Sequence, residues 1–303
     1  MECLLDAHPE DLDAEGGLRG TPLGAALDKG HLYIALFLLV HGANGEKYGI
    51  ARKTGLYIAS CHGYTEIVRT LINRGADLNA VCGDWEEGVD DDVELTPLHV
   101  ASLHGKLEVA RMLLEYGANV NGRDNFGRNS LHIAAACYSG HGADPCGSND
   151  GNEAALHHPS SDGYPGVIKL LIDHGLDVNA RSGSRLNPLL DARWVVDSEG
   201  LTPLHYAVDW RSVEGMQLLL DHGADVNKPD GGHWTALHLA AFFGYLQEVN
   251  ILLGRGANPQ ARTVDGDTPF GVIKRCPSRF SSPHHPQIMQ LLSEHTGESV
   301  YDP

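Results

Sequence analysis

The sequence is short of basic residues. Its 303 residues include 22 Lys and Arg against 40 Asp and Glu, which gives a formal net charge of −18 at pH 7. Nucleic acids and anionic membrane surfaces bind proteins through clusters of Lys and Arg that neutralise their negative charge. The composition therefore argues against both as partners.

Cysteine motifs and long apolar runs are also missing. The six cysteines form no Cys-x-x-Cys pair and are scattered at positions 3, 61, 82, 137, 146 and 276. That spacing fits neither a zinc site nor a disulfide framework. No stretch approaches the length of a transmembrane helix, and the acidic first six residues, MECLLD, do not resemble a signal peptide. These features predict reduced thiols and a cytoplasmic or nuclear location.

Familiar catalytic motifs are absent as well. The chain has no Gly-x-Ser-x-Gly, no phosphate-binding P-loop and no His-Glu-x-x-His sequence. Residues 90–94 (DDDVE) match the Asp-Asp-x-x-Glu spacing with which some terpene cyclases hold Mg²⁺. An acidic loop produces this spacing easily, so we predict no metal site and no cofactor. Whether the chain is an enzyme stays open at this stage.

What the sequence does contain is a repeated segment. Seven segments open with Thr-Pro-Leu-His or a variant of it, at Thr21, Thr54, Thr96, Asn129, Thr202, Thr235 and Thr268. Four of the six intervals between successive openings are 33 residues long, as from Thr202 to Thr235. A period of this length indicates stacked helical repeats, in which each unit buries its apolar face against its neighbours.

Each segment carries the signals of two helices. Thr is a favoured helix N-cap, and the Pro that follows it suits the first helical position. A glycine nine residues after the opening ends the first helix without a steric penalty, at Gly30, Gly63, Gly105 and Gly244. Apolar residues at helical spacing, such as Val109, Met112 and Leu113, give the second helix one buried face.

These residues resemble the ankyrin repeat, and residues 96–121 (TPLHVASLHGKLEVARMLLEYGANVN) resemble it throughout. The resemblance implies an all-α solenoid of about seven helix-turn-helix repeats with β-hairpin fingers. It places a partial capping repeat at 1–19, the repeat domain at 20–295 and a C-terminal tail at 296–303. It also implies that the histidines of four openings bond nearby backbone and are structural, namely His99, His132, His205 and His238.

Three insertions interrupt the repeats, at about 81–94, 139–162 and 181–197. The second is rich in Gly, Ser, Asp and His, and we expect a solvated or disordered loop there. The first and third fall in the predicted fingers and should project from one edge of the solenoid. They carry Trp85, Arg193 and Trp194, and exposed aromatic and Arg side chains often anchor protein partners.

The resemblance further implies that ligands contact the fingers and the two residues before the inter-helix glycine. Those pairs are most aromatic in the fifth and sixth repeats, where they are Asp209-Trp210 and Phe242-Phe243. We therefore predict a binding surface on the concave side of the third to sixth repeats, whereas Tyr206 should lie inside the repeat. The predicted contact residues are Trp85, His104, Phe126, Arg128, Arg193, Trp194, Trp210, Trp234, Phe242 and Phe243.

Two functions remain open from the sequence. The first is a non-catalytic module that binds a protein or peptide, and the acidic first insertion favours a basic partner. The second is a small-molecule-binding protein or an atypical enzyme of the lyase or cyclase type, with a pocket between the long fingers. An open groove on the concave face would favour the first, and an enclosed pocket would favour the second.

Overall fold

The computed structural model describes residues 12–14, 20–46, 53–83, 94–136, 163–183, 200–276 and 282–297. Within these residues the regular structure is helical, and fourteen helices follow one another as seven successive pairs. Each pair corresponds to one predicted repeat, which confirms the all-α repeat fold. The hairpin fingers stay a prediction; Cys82 and Leu95 form an isolated antiparallel bridge.

The helices begin and end close to the predicted capping residues. In chain order they are α1 (Pro22–Asp28), α2 (Leu32–Val40), α3 (Gly55–His62), α4 (Thr65–Asn73), α5 (Pro97–Leu103), α6 (Leu107–Glu115), α7 (Ser130–Ala136), α8 (Gly163–Asp173), α9 (Pro203–Asp209), α10 (Val213–Asp221), α11 (Ala236–Phe243), α12 (Leu246–Gly254), α13 (Pro269–Lys274) and α14 (His285–Thr296). Thr21, Thr54 and Thr96 each cap a first helix by accepting a backbone N–H three residues later.

The chain divides into two compact units, and the first comprises Met1–Asn125 and His141–His174. In this unit α1 packs on α3 and α3 on α5, so first helices stack on first helices. The second helices stack in the same way, with α2 on α4, α4 on α6 and α6 on α8. Fully buried Leu27, Ile67 and Leu98 belong to the core between the two rows of helices.

The second unit comprises Phe126–Gly140 and Gly175–Pro303. Its first helices stack as α7, α9, α11 and α13, and α12 packs on α14. Helix α7 therefore lies in this unit although α8, the other helix of the fourth repeat, lies in the first. The prediction of one continuous domain over 20–295 stays a prediction.

Buried histidines connect each opening to the segment that follows. The backbone N–H of Thr96 donates to Nδ1 of His99 at 3.2 Å, and Nε2 of His99 donates to the carbonyl of Gly122 at 3.1 Å. The Nε2 atoms of the other three histidines donate to carbonyls in the same way: His132 to Leu201 at 3.2 Å, His205 to Trp234 at 3.1 Å and His238 to Asp267 at 3.2 Å. The predicted structural role of the four histidines is confirmed.

The cysteines depart from the sequence-based expectation at one position. Cys61 is disulfide-bonded, whereas Cys82 and Cys276 carry free thiols. Burial raises the pKa of the Cys82 thiol above its ordinary value. The expectation of reduced thiols is therefore wrong for Cys61, because spacing rules detect short motifs and not residues that packing brings together. The cytoplasmic or nuclear location, which rested partly on reduced thiols, stays a prediction.

The sequence predicts neither a membrane-spanning helix nor a metal site. In the described part of the chain, no helix is long and apolar enough to cross a bilayer. Within the same ranges, no group of three or more His, Cys, Asp and Glu side chains is placed to hold a metal ion. The acidic stretch before Glu94 lies outside these ranges, so its lack of a metal stays a prediction.

Candidate functional site

Four aromatic rings form a continuous row in the sixth repeat. Trp234 packs edge-on against Phe242, with 5.7 Å between ring centroids, and Phe242 packs edge-on against Phe243 at 5.2 Å. Phe243 stacks on Tyr245 at 5.5 Å, and the guanidinium carbon of Arg211 lies 4.8 Å from the centre of the Tyr245 ring. We call Trp234, Phe242, Phe243 and Tyr245 the aromatic row. It runs from the segment before α11 to the turn between α11 and α12.

The ends of α11 explain where these rings lie. Thr235 caps the helix in a capping box with His238, and Gly244 ends it in the left-handed conformation, with φ of 73°. A side chain at position 244 would also collide with Ser282. Because the helix stops directly after Phe243, two rings lie at its C-terminal end and Tyr245 lies just beyond it.

The row is buried at one end and partly exposed at the other. Trp234 is 8% exposed. Its backbone N–H donates to Oδ1 of Asp230 at 2.7 Å, and its carbonyl accepts the hydrogen bond from His205. Phe242, Phe243 and Tyr245 are half-buried. The accessible part of the row is therefore its last three rings.

Trp210 extends this accessible surface from the neighbouring repeat. It is half-buried and serves as the C-cap of α9, where its backbone N–H donates to the carbonyl of Tyr206 at 3.0 Å. Arg211, the next residue, joins Trp210 to the row through its contact with Tyr245. Tyr206 itself is 3% exposed, which confirms its predicted place inside the repeat.

Two of the predicted contact residues are buried instead. Phe126 is 5% exposed, and its carbonyl accepts the backbone N–H of Gly183 at 2.9 Å. The guanidinium of Arg128 lies 5.1 Å from the centre of the Phe126 ring and covers it. Phe126 and Trp234 therefore stabilise the segments before α7 and α11 and offer little area to a partner. The expectation of exposed contacts at these two positions came from their place in a finger, which does not determine burial.

The remaining predicted residues lie elsewhere. His104 belongs to the first unit, where it is the half-buried C-cap of α5 and its N–H donates to the carbonyl of Val100 at 3.1 Å. Trp85, Arg193 and Trp194 lie outside the described residues. Their role in binding, and a surface that includes the third repeat, stay predictions.

Sequence reasoning missed Tyr245 and Arg211, although a signal for Arg211 was present. The turn residue after the first helix is glycine at Gly63, Gly105 and Gly244, whereas the fifth repeat has Arg211 there. Arg211 adopts the same left-handed conformation, with φ of 58°. A non-glycine residue in this conformation is uncommon, and it often marks a functional position.

Three titratable side chains near the aromatic row form hydrogen bonds with the backbone. Burial lowers the pKa of His205 and of His238 to about 4, so both rings are neutral at pH 7. Burial also raises the pKa of Asp230 to about 6, although the hydrogen bonds that its carboxylate accepts from backbone N–H groups lower the pKa. Each of these groups is buried and hydrogen-bonded to the main chain, so together they orient the segment before α11.

Comparison with known sequences identifies the repeat. A family model described as "Ankyrin repeats (3 copies)" matches residues 1–82, 84–144 and 183–263. The human transient receptor potential cation channel subfamily A member 1 is 25% identical over 243 residues, which are 66% of this chain and 20% of the channel. Human protein phosphatase 1 regulatory subunit 27 is 37% identical over 78 residues, 26% of this chain and 51% of that protein. The alignments thus span a fifth and about half of these relatives.

Solved structures show the same architecture. The ankyrin repeat domain of human ASB11 superposes with a TM-score of 0.62 at 21% identity, over 90% of this chain and 97% of that domain. The ankyrin repeat domain of Bcl-3, described as a member of the IkappaB family, gives a TM-score of 0.58 at 25% identity, with the same coverage of 90% and 97%. At such identities the likeness to ASB11 concerns the fold alone.

Proposed function

The chain belongs to the ankyrin-repeat family, and from that premise we propose that it is a non-catalytic module that binds a protein or peptide partner. The proposed contact surface comprises Trp210, Phe242, Phe243 and Tyr245 in the fifth and sixth repeats. Repeat arrays use their extended surfaces for binding, because their framework residues are occupied in stacking.

The observation that carries the proposal is the partial exposure of the aromatic row. At the positions of Phe242 and Phe243, the second repeat has Cys61-His62 and the third repeat has Leu103-His104. Replacing such pairs with two rings adds apolar surface that water partly covers, and this surface gains free energy when a partner buries it. Aromatic side chains are also enriched at protein interfaces.

The row is also held in place before any partner arrives. The carbonyl of Phe242 accepts a hydrogen bond from Nε2 of His285 at 3.0 Å, and each ring packs against the next in an edge-on or stacked geometry. Rings that are already fixed lose little conformational entropy on binding, which favours affinity.

The partner's chemistry follows from the acidic insertion at about 81–94 and the net charge of −18, which favour a basic partner by long-range attraction. One relative is named a regulatory subunit of a phosphatase. A role in which this chain acts on another protein by binding it agrees with the proposal. Among the described residues we find no observation that favours the small-molecule or enzymatic alternative.

The proposal is tested by capturing partners with the tagged chain and identifying them by mass spectrometry. Trp210→Ala and Phe243→Ala, singly and together, should lose the partner. Tyr33→Ala is the matched control, because Tyr33 is 93% exposed and lies on α2 of the first unit. Equal capture by all variants would place the binding surface elsewhere.

A further inference from the structure

The second unit has an open cleft of about 650 Å³ beside α10 and α12. Arg211, His284, Gln217 and Gln247 line it with polar groups, and Leu246 and Ile251 line it with apolar ones. No carboxylate side chain is among the lining residues of this part of the described chain. The charged side chain that lines this cleft is therefore an arginine, in a chain with a net charge of −18.

The cleft lies beside two second helices that pack less extensively than their counterparts. Helices α10 and α12 pack less extensively against each other than α2 and α4, α4 and α6, or α12 and α14 do. Four residues after the turn position, α4 and α6 have buried Ile67 and Val109. At the same place α10 has Gly215 and α12 has Glu248. Neither Gly215 nor Glu248 supplies the apolar side chain that α4 and α6 bury at this place.

The guanidinium of Arg211 is fixed by two neighbours. Its Nε lies 3.5 Å from Oε1 of Glu248, and its carbon lies 4.8 Å from the centre of the Tyr245 ring. The Glu248 side chain is 1% exposed, whereas that of Arg211 is 61% exposed. The terminal nitrogens of Arg211 have no hydrogen-bond partner among the described residues, so they remain available to a molecule in the cleft.

The other carboxylates of the two helices do not neutralise this site. Asp221 pairs with Arg255 at 2.7 Å, and neither Asp221 nor Glu214 lines the cleft. Glu248 contacts Arg211 through one oxygen, and its Oε2 is buried without a hydrogen-bond partner within the described ranges. The buried acid therefore orients the arginine and leaves its outer edge open to an anion.

We propose that this cleft is a second binding site, which takes an acidic segment of a protein partner. A carboxylate or a phosphate on that segment accepts hydrogen bonds from the terminal nitrogens of Arg211, a planar pair of donors that suits both anions. The exposed amides of Gln217 and Gln247 can donate to and accept from the backbone of an extended segment. The site shares Tyr245 with the aromatic row through its contact with Arg211, but Trp210 and Phe243, whose variants test the first proposal, do not line the cleft, so either proposal can fail alone.

The test uses the full chain and three fluorescein-labelled peptides that differ only in their three central residues: glutamate, phosphoserine or glutamine. The decisive variant combines Arg211→Gly with Glu248→Val, which restores the residue types of Gly105 and Val109 in the third repeat. The matched control combines Asp221→Ala with Arg255→Ala, which removes an equal pair of charges outside the cleft. Fluorescence polarisation at low and moderate salt gives the affinities, and circular dichroism checks the fold.

We expect the glutamate or the phosphoserine peptide to bind at least about tenfold more tightly than the glutamine peptide. Comparison of the two anionic peptides shows whether the site prefers a carboxylate or a phosphate. The Arg211→Gly, Glu248→Val variant should lose at least about tenfold in affinity, and the control should stay within about twofold. If the decisive variant does not fold, Arg211→Gln must show the same loss. Absence of binding by both anionic peptides, equal binding of the three, or equal losses in both double variants would overturn the proposal.

Discussion

The third repeat and the sixth repeat share one skeleton and differ on both sides of the turn that joins their two helices. Both have a capping box at the start of the first helix, formed with His99 in one and His238 in the other. Four residues after the turn, however, the third has buried Val109 and the sixth has Glu248. Before the turn, the third has an aliphatic residue and a histidine, and the sixth has two phenylalanines.

The difference separates residues that stabilise the fold from residues that we assign to binding. The capping Thr, the His ring and the turn conformation recur because each satisfies backbone groups at a helix end. The aromatic row and the Arg211–Glu248 pair do not recur, and both put unfavourable features into the scaffold, namely exposed rings and a buried charge. Variants should therefore fall into two classes, which stability measurements can tell apart.

The largest effect should come from the buried end of the aromatic row. Trp234→Ala should lower the free energy of unfolding by about 3 to 5 kcal/mol, because the ring is nearly inaccessible and its loss leaves a cavity. Trp210→Ala should cost no more than about 1.5 kcal/mol, since the ring is only half-buried. Urea unfolding measures both, and similar losses for the two variants would contradict this division of the aromatic residues.

A histidine of the skeleton should come next. His238→Ala should cost about 2 to 4 kcal/mol, because it leaves the Thr235 N–H and the Asp267 carbonyl without the ring that bonds both. His284→Ala, which removes an exposed ring, should stay within about 0.5 kcal/mol of the wild type. The same urea series compares them. A small loss for His238→Ala would mean that the recurring histidine is not a stabilising residue.

Acid should destabilise the second unit by a similar mechanism. The folded-state pKa of His205 and of His238 is about 4, so between about pH 6.5 and 4 the unfolded chain takes up protons that the folded chain does not. The raised pKa of Asp230, about 6, acts in the opposite direction over part of that window. We expect a net loss of about 2 kcal/mol between pH 7 and pH 5.

Urea unfolding at the two pH values checks the direction of this dependence. A variant with His205→Gln and His238→Gln should show a weaker loss on acidification than the wild type, although it is less stable at pH 7. Stability that stays constant or rises as the pH falls to 5 would contradict the assignment of neutral buried rings.

The smallest change in stability should have the opposite sign. Arg211→Gly with Glu248→Val should raise the free energy of unfolding by about 1 to 3 kcal/mol, since it relieves a strained turn residue and replaces a buried charge with an apolar side chain. Thermal and urea unfolding measure the gain. A clear loss of stability would mean that this pair stabilises the scaffold, and the role of Arg211 in binding would then depend on the Arg211→Gln variant.

The skeleton could be predicted because its determinants are local. Thr96, Pro97 and His99 lie within four residues, and their capping geometry follows from helix chemistry that a sequence displays. Burial could not be predicted in the same way. Phe126 and Trp234 hold finger positions, yet packing within the second unit covers both rings. The contact of Arg211 with Tyr245 joins two repeats, so the spacing within either repeat does not reveal it.

The central claim is that the accessible aromatic surface of the fifth and sixth repeats carries partner binding. Isothermal titration calorimetry of a captured partner with the Trp210→Ala, Phe243→Ala double variant tests it most directly. The account predicts that Kd rises at least about 30-fold while circular dichroism and the unfolding midpoint change little, because central aromatic residues contribute about 2 kcal/mol or more each. A Kd equal to that of the wild type, or loss of the folded state in this variant, would contradict the account.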